Sequence, residues 1–202
     1  MAINAGASAI GLVGPMPSGP GIISNEKIAA IISNIHVPID TFLLTSETTV
    51  QGIFNHYQKA KTTTIQLVDK IEKGGHDQLK KLLPEVKIIQ VLHVVGEESI
   101  EEAMSLMENV DGLLLDSGNP KLKVKELGGT GRIHNWEISR SIVEKSKVPV
   151  WLAGGLKPEN IQNAIQHVQP YGVDLCSGVR TDGKLDFNKL SLFFKNVNSI
   201  RN

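Results

Sequence analysis

Short apolar runs alternate with longer amphipathic stretches from one end of this chain to the other, and that alternation limits it to few folds. The strand candidates are Ala9–Val13, Ile39–Leu44, Thr64–Leu67, Ile88–His93, Gly112–Leu115, Val148–Leu152 and Gly172–Leu175. Each is four to six residues, rich in Val, Ile or Leu and apolar on both faces, as expected of strands buried on both sides. Segments with helical spacing follow them, at Glu26–Ser33, Val50–Ala60, Asp77–Leu83, Glu98–Met107, Trp136–Lys145, Pro158–Val168 and Phe187–Val197. Ser24 and Asp186 stand where N-caps belong, and Pro158 suits a first helical turn, where its missing N–H costs nothing. Repeated strand–helix units without a break in composition predict an α/β fold, a parallel sheet wrapped by helices, in one domain over residues 1–202. Seven strands exceed the usual five or six of a doubly wound sheet and fall one short of a closed (β/α)8 TIM barrel. The opening Met1-Ala2-Ile3-Asn4-Ala5-Gly6-Ala7 reads as the tail of a helix running into a strand. The expectation is therefore a TIM barrel whose first strand and most of whose first helix are missing from the N-terminus.

Charge narrows the partners. Lys and Arg total 21 and so do Asp and Glu, which gives no basis for a nucleic-acid surface or a polybasic membrane patch. An anionic ligand must then be held by local geometry. Cys176 is the only cysteine, so an intrachain disulfide and a cysteine-rich zinc site are both excluded, as suits a reducing compartment. No apolar run reaches the roughly 18–20 residues of a membrane span, and the N-terminus lacks the pattern of a signal peptide. A cytoplasmic enzyme or binding domain is expected.

In barrels of this class the functional groups lie at the C-terminal ends of the strands, and four such ends carry unusual residues. Leu152-Ala153-Gly154-Gly155-Leu156-Lys157-Pro158-Glu159-Asn160 runs from a strand through two glycines toward a helix. It reads equally as a tight turn or as a place where backbone N–H groups meet an anion. Val173-Asp174-Leu175-Cys176-Ser177-Gly178-Val179-Arg180 repeats the pattern one strand later. Loops after the last two strands are the common phosphate site of this fold, so the pair points to phosphate more strongly than either alone. Gly112-Leu113-Leu114-Leu115-Asp116-Ser117 is an apolar strand stopping on a carboxylate, which serves either as an acid or base at the barrel mouth or as a loop cap. Gly128-Gly129-Thr130-Gly131-Arg132 reads as a plain linker or as a loop closing over the mouth. His93 ends a strand and is either a mouth residue or a hydrogen-bonded structural histidine. His36, His56, His76 and His167 lack metal-ligand spacing, so no metal is proposed. Arg180 reads as a surface arginine, Cys176 as a small packed residue, and Trp136 and Trp151 as packing residues.

The order Leu-Leu-Leu-Asp116, Gly128-Gly129-Thr130-Gly131, Trp136, Ala153 to Asn160, and Asp174 to Val179 resembles the phosphoribosylanthranilate isomerase family of tryptophan biosynthesis. The resemblance covers nearly the whole chain and is most specific from Leu113 to Val179. It implies an aldose–ketose type isomerase that performs an Amadori rearrangement on a phosphorylated aminoribose, without cofactor or metal. It puts Asp116 in the place of the general acid, and Gly129, Gly154, Gly155, Asp174, Ser177 and Gly178 in the substrate and phosphate loops. Three features depart from the family. Its general base, a cysteine in a Lys-Ile-Cys-Gly motif on the first strand, lies on a strand absent here. Its arginine near the second strand is replaced by the loop Met16-Pro17-Ser18-Gly19-Pro20-Gly21. Its histidine after the fourth strand's Gln-Leu is Val68. The alternative to the isomerase is a divergent phosphosugar-binding barrel with another reaction or none.

Overall fold

The computed structural model describes residues 1–17, 19–118 and 133–200. Seven parallel strands pair in chain order: β1 (Ala9–Val13), β2 (Asp40–Thr45), β3 (Thr64–Leu67), β4 (Lys87–His93), β5 (Gly112–Asp116), β6 (Val150–Leu152) and β7 (Gly172–Val173). Helices α1 (Ala2–Ala5), α2 (Asn25–Ser33), α3 (Val50–Ala60), α4 (Gly75–Leu82), α5 (Glu98–Met107), α6 (Trp136–Lys145), α7 (Ile161–Val168) and α8 (Phe187–Asn198) cover it. The expected parallel strand–helix architecture is borne out, including the opening helix tail that stops at Gly6 before β1. Among the described residues, β7 and β1 do not pair.

Why the sheet curls follows from its two faces. Alternate residues of each strand point to opposite sides. On the outer side Ile65, Leu67, Leu113, Leu115, Val150 and Leu152 pack under the helices, against Ile53, Leu79, Ile142 and Phe193. On the other side Ile89, Val91, Leu114 and Ala153 form a second cluster with Phe42, Leu44 and Trp151. The Phe42 and Trp151 rings meet edge to face at 6.3 Å, yet they stand on β2 and β6, four strands apart in the sheet. Only a sheet rolled on itself brings them together. The ring of helices closes in the same sense, because Gly6 at the end of α1 packs on Phe194 of α8. Trp151 is thus the interior packing residue expected of it, seated against Gly112 and Gly172, where any side chain would strike its ring.

Local signals explain most element ends. Ser24 accepts from Lys27 N, and Asp186 accepts from Asn188 N and Lys189 N, as N-caps do. β6 starts after Pro149, not at Val148, since proline has no N–H for the ladder. β7 is shorter than expected: Asp174 N still donates to Leu152 O, and the chain then leaves the sheet for a 3-10 turn at Ser177–Val179. α7 begins at Ile161 and not at Pro158, because residues 158–160 form a separate turn. A hairpin of β8 (Arg180–Thr181) and β9 (Lys184–Leu185) was not expected. Asp182 and Gly183, both at positive φ, make its two-residue turn. Arg180 is half-buried and donates to Gly183 O, so it belongs to the hairpin and not to an open surface.

Candidate active site at the open end of the sheet

The C-terminal ends of β4 to β7 bring four of the singled-out residues into one row. His93 and Asp116 are register partners on β4 and β5. Ala153 N donates to Leu115 O, and Asp174 N donates to Leu152 O, which carries the same level across β6 and β7. Ile89, Val91 and Leu114 face the interior, so period 2 turns His93 and Asp116 inward as well. Between Asp116 and Asp174 the strand in the middle carries only the methyl of Ala153. Two carboxylates thus flank a small gap at the mouth, with an imidazole on the far side of Asp116.

Their surroundings shift their chemistry. Asp116 is 7% exposed. Burial raises its pKa, opposed by the hydrogen bond from Ser117 N to Oδ1 (2.7 Å) and by nearby His93. Asp174 is pushed up to about 6, by burial first and by the Asp116 charge second. Like charges held near one another away from water cannot both ionise freely. A raised carboxylate at a mouth is a group able to give a proton near neutral pH.

The two glycine turns lie beside this row and touch each other. Gly154 and Gly155 have φ of 79° and 63°, a region that residues with a Cβ avoid. A Cβ on Gly154 would stand 2.8 Å from Ser117 Oγ, and one on Gly178 would collide with the carbonyl oxygen of Leu156. The missing Cβ at Gly178 therefore lets the turn after β7 rest on the turn after β6, and the one at Gly154 lets that turn rest on Ser117 at the end of β5. Gly155 N and Ser177 N have no acceptor among the described residues, and Ser177 is exposed. Unclaimed backbone N–H groups at glycine turns can serve an oxyanion. Asn160, given no role above, shapes the first turn: its Oδ1 accepts from Lys157 N (2.9 Å) and its Nδ2 donates to Gly155 O (2.9 Å). An amide residue a few positions after a glycine turn is a legible signal for this bracing.

The remaining candidates separate from this site. Gly129 and the loop from Gly128 to Gly131 lie outside the described residues. Cys176 is partly buried in the turn after β7. His56 is buried on α3 with Nδ1 on Thr45 Oγ1 (2.8 Å), and burial lowers its pKa. His76 pairs with Gln90 and His167 with Glu137. Among the described residues, no three His, Cys, Asp or Glu side chains gather as metal ligands, and no helix is long and apolar enough to cross a membrane.

Residues 17–196 match the family model described as N-(5'-phosphoribosyl)anthranilate (PRA) isomerase. The N-(5'-phosphoribosyl)anthranilate isomerase of Methanosarcina acetivorans is 34% identical over 205 residues, covering 95% of this chain and 84% of that protein. That of Microcystis aeruginosa is also 34% identical, over 97% of this chain and 90% of the relative. In structure, the phosphoribosyl anthranilate isomerase from Thermococcus kodakaraensis is similar with a TM-score of 0.80 at 28% identity, over 97% of this chain and 91% of that one.

Proposed function

The chain belongs to the N-(5'-phosphoribosyl)anthranilate isomerase family, and on that premise we propose that the row at the mouth of its sheet carries out the family's Amadori rearrangement, in tryptophan biosynthesis. The observation that carries this reading is a buried, pKa-raised Asp116 next to two interlocking glycine turns. The substrate is a phosphorylated small molecule, an aminoribose 5-phosphate. Its phosphate rests on the turns of Gly154–Gly155 and Ser177–Gly178, where backbone donors and not side-chain charges meet it. That suits a chain of zero formal net charge.

Anchoring the phosphate fixes the sugar over Asp116. Its carboxyl gives a proton to the furanose ring oxygen as the C1'–O bond breaks, leaving an iminium at C1'. Loss of the C2' proton then moves the C–N π electrons onto nitrogen and gives an enolamine. Transfer of the enol proton and protonation of C1' yield the 1-deoxyribulose. Burial raises the pKa of Asp116, the direction that favours proton donation in the first step. Asp174, across the gap, takes a hydrogen bond from the substrate's amine or a sugar hydroxyl. The resemblance gives the second proton transfer to a cysteine on a strand ahead of β1.

The discriminating experiment is turnover of phosphoribosylanthranilate by the full chain, followed by loss of anthranilate fluorescence. A second reading, phosphosugar binding with other chemistry, is favoured by the Met16 to Gly21 loop standing where the family carries an arginine. No turnover, together with thermal stabilisation by a phosphosugar, would establish that second reading in place of the isomerase.

A further inference from the structure

His93 is the polar group at the mouth that the mechanism above leaves unused, and its two ring nitrogens are not equivalent. Nε2 lies 3.2 Å from the carbonyl oxygen of Val68. A carbonyl only accepts, so Nε2 carries the hydrogen of that bond, and in the neutral ring Nδ1 is left as a lone pair. Nδ1 is buried and has no hydrogen-bond partner. The residue as a whole is 9% exposed, and it stands in register with Asp116 at the end of an inward-facing run. A buried acceptor without a donor costs roughly 1–3 kcal/mol. Buried acceptors of this kind are ordinarily met by protein, ordered water or a ligand, and among the orphaned buried atoms of the described residues this one stands at the mouth beside Asp116.

We infer that His93 contacts the reacting sugar, its Nδ1 accepting a hydrogen bond from a sugar hydroxyl beside the atoms that Asp116 serves. The backbone of Val68 then has a second use: it locks the tautomer that keeps Nδ1 bare. This also explains why a valine suffices at position 68, since only its carbonyl is needed. The inference rests on the isomerase reading, and its test separates the two.

Two substitutions divide the ring's functions. His93→Gln keeps a donor at the Nε2 position for Val68 and removes the acceptor at Nδ1. His93→Asn places an acceptor oxygen at the Nδ1 position and gives up the Val68 bond. The expected result is a fall in kcat/KM of at least about tenfold for His93→Gln, the scale of one lost hydrogen bond in a closed site, with its melting temperature little changed. His93→Asn should melt lower and keep more activity. The reverse order, equal loss in both or no loss in either, against an active wild type, overturns the inference alone. A wild type that neither turns over phosphoribosylanthranilate nor binds the deoxyribulose phosphate product overturns the isomerase reading and takes the inference with it. Should either variant fail to fold, long-range 15N spectra of the wild-type histidines decide the matter. Saturation with the product should move the Nδ1 signal of an Nε2–H ring upfield, and no movement at any histidine overturns the inference.

Discussion

A carboxylate that is to donate a proton near neutral pH needs help from its surroundings, and burial shifts Asp116, the proposed general acid, in that direction. Asp116→Asn keeps the shape and removes the proton. It should lower kcat by at least ~10²-fold, the usual contribution of a general acid, with little change in melting temperature; retained activity would make Asp116 a structural residue. The neighbouring Asp174 yields a stability prediction with a definite sign. Its pKa is about 6 in the folded chain against an ordinary 3.8. Between those pH values the folded state holds a proton that the unfolded state has released, so stability falls as pH rises from about 4 to about 6 and levels off above. A shift of two units corresponds to at most about 3 kcal/mol, and partial solvent access reduces it to roughly 1–2 kcal/mol. Asp174→Asn should therefore melt roughly 3–6 °C above wild type at pH 8 and close to it at pH 4. An equal difference at both pH values would sink that account. Asp116 was legible in the sequence because an apolar strand stopping on a carboxylate is a local pattern. The gap between it and Asp174 was not, since it depends on strand register and on Ala153 being small. His93 remained ambiguous for the same reason: one of its nitrogens is structural and the other is not.

At the scale of elements, the turn after β6 and the turn after β7 behave as one part. Gly178 lies so close to Leu156 that a methyl group would displace one turn from the other. Gly178→Ala should cost roughly 1–3 kcal/mol, as overpacking does, and should abolish stabilisation by a phosphosugar even where the chain still folds. Stabilisation equal to wild type would mean that the phosphate sits elsewhere. The sequence announced each turn separately through its glycines but was silent on their contact. The helices were more legible than the loops. The spacing over Val50–Ala60, Glu98–Met107 and Trp136–Lys145 coincides with α3, α5 and α6 to the residue, because one apolar face buried on a sheet imposes its period on the residues. The 158–160 turn reads as helix in the sequence because proline is equally at home in a turn and at a helix start. The Asp182-Gly183 hairpin carried a recognisable turn signal, but its strands of two residues each are too short to show alternation.

For the molecule as a whole, the sheet's order predicts where the chain opens first. β3 is buried at all four positions and β4 at six of seven, and both are paired on two sides. β1 and β7 end the sheet; β1 exposes Gly11, and β7 has two residues, both partly exposed. A strand paired on one side and half solvated opens by local fluctuation at lower free energy than one in the centre. Hydrogen–deuterium exchange read by mass spectrometry should therefore find the amides of β1 and β7 exchanging well before those of β3 to β5. Ligand should redistribute that protection in a way that follows from the site's placement. The turns proposed to hold the phosphate hang from β6 and β7, so a phosphosugar bound there would tie the weak edge strand to the stable centre through the contact of Gly178 with Leu156. At a hundredfold excess over Kd it adds about 2.7 kcal/mol to the folded state, which for a chain of this size is roughly 5–10 °C in melting temperature. The gain in protection should be largest over residues 154–156 and 172–179 and small in β1, which carries none of the proposed site residues. Uniform protection across β1 and β7, or none near the turns, would mean that the ligand acts through some other surface.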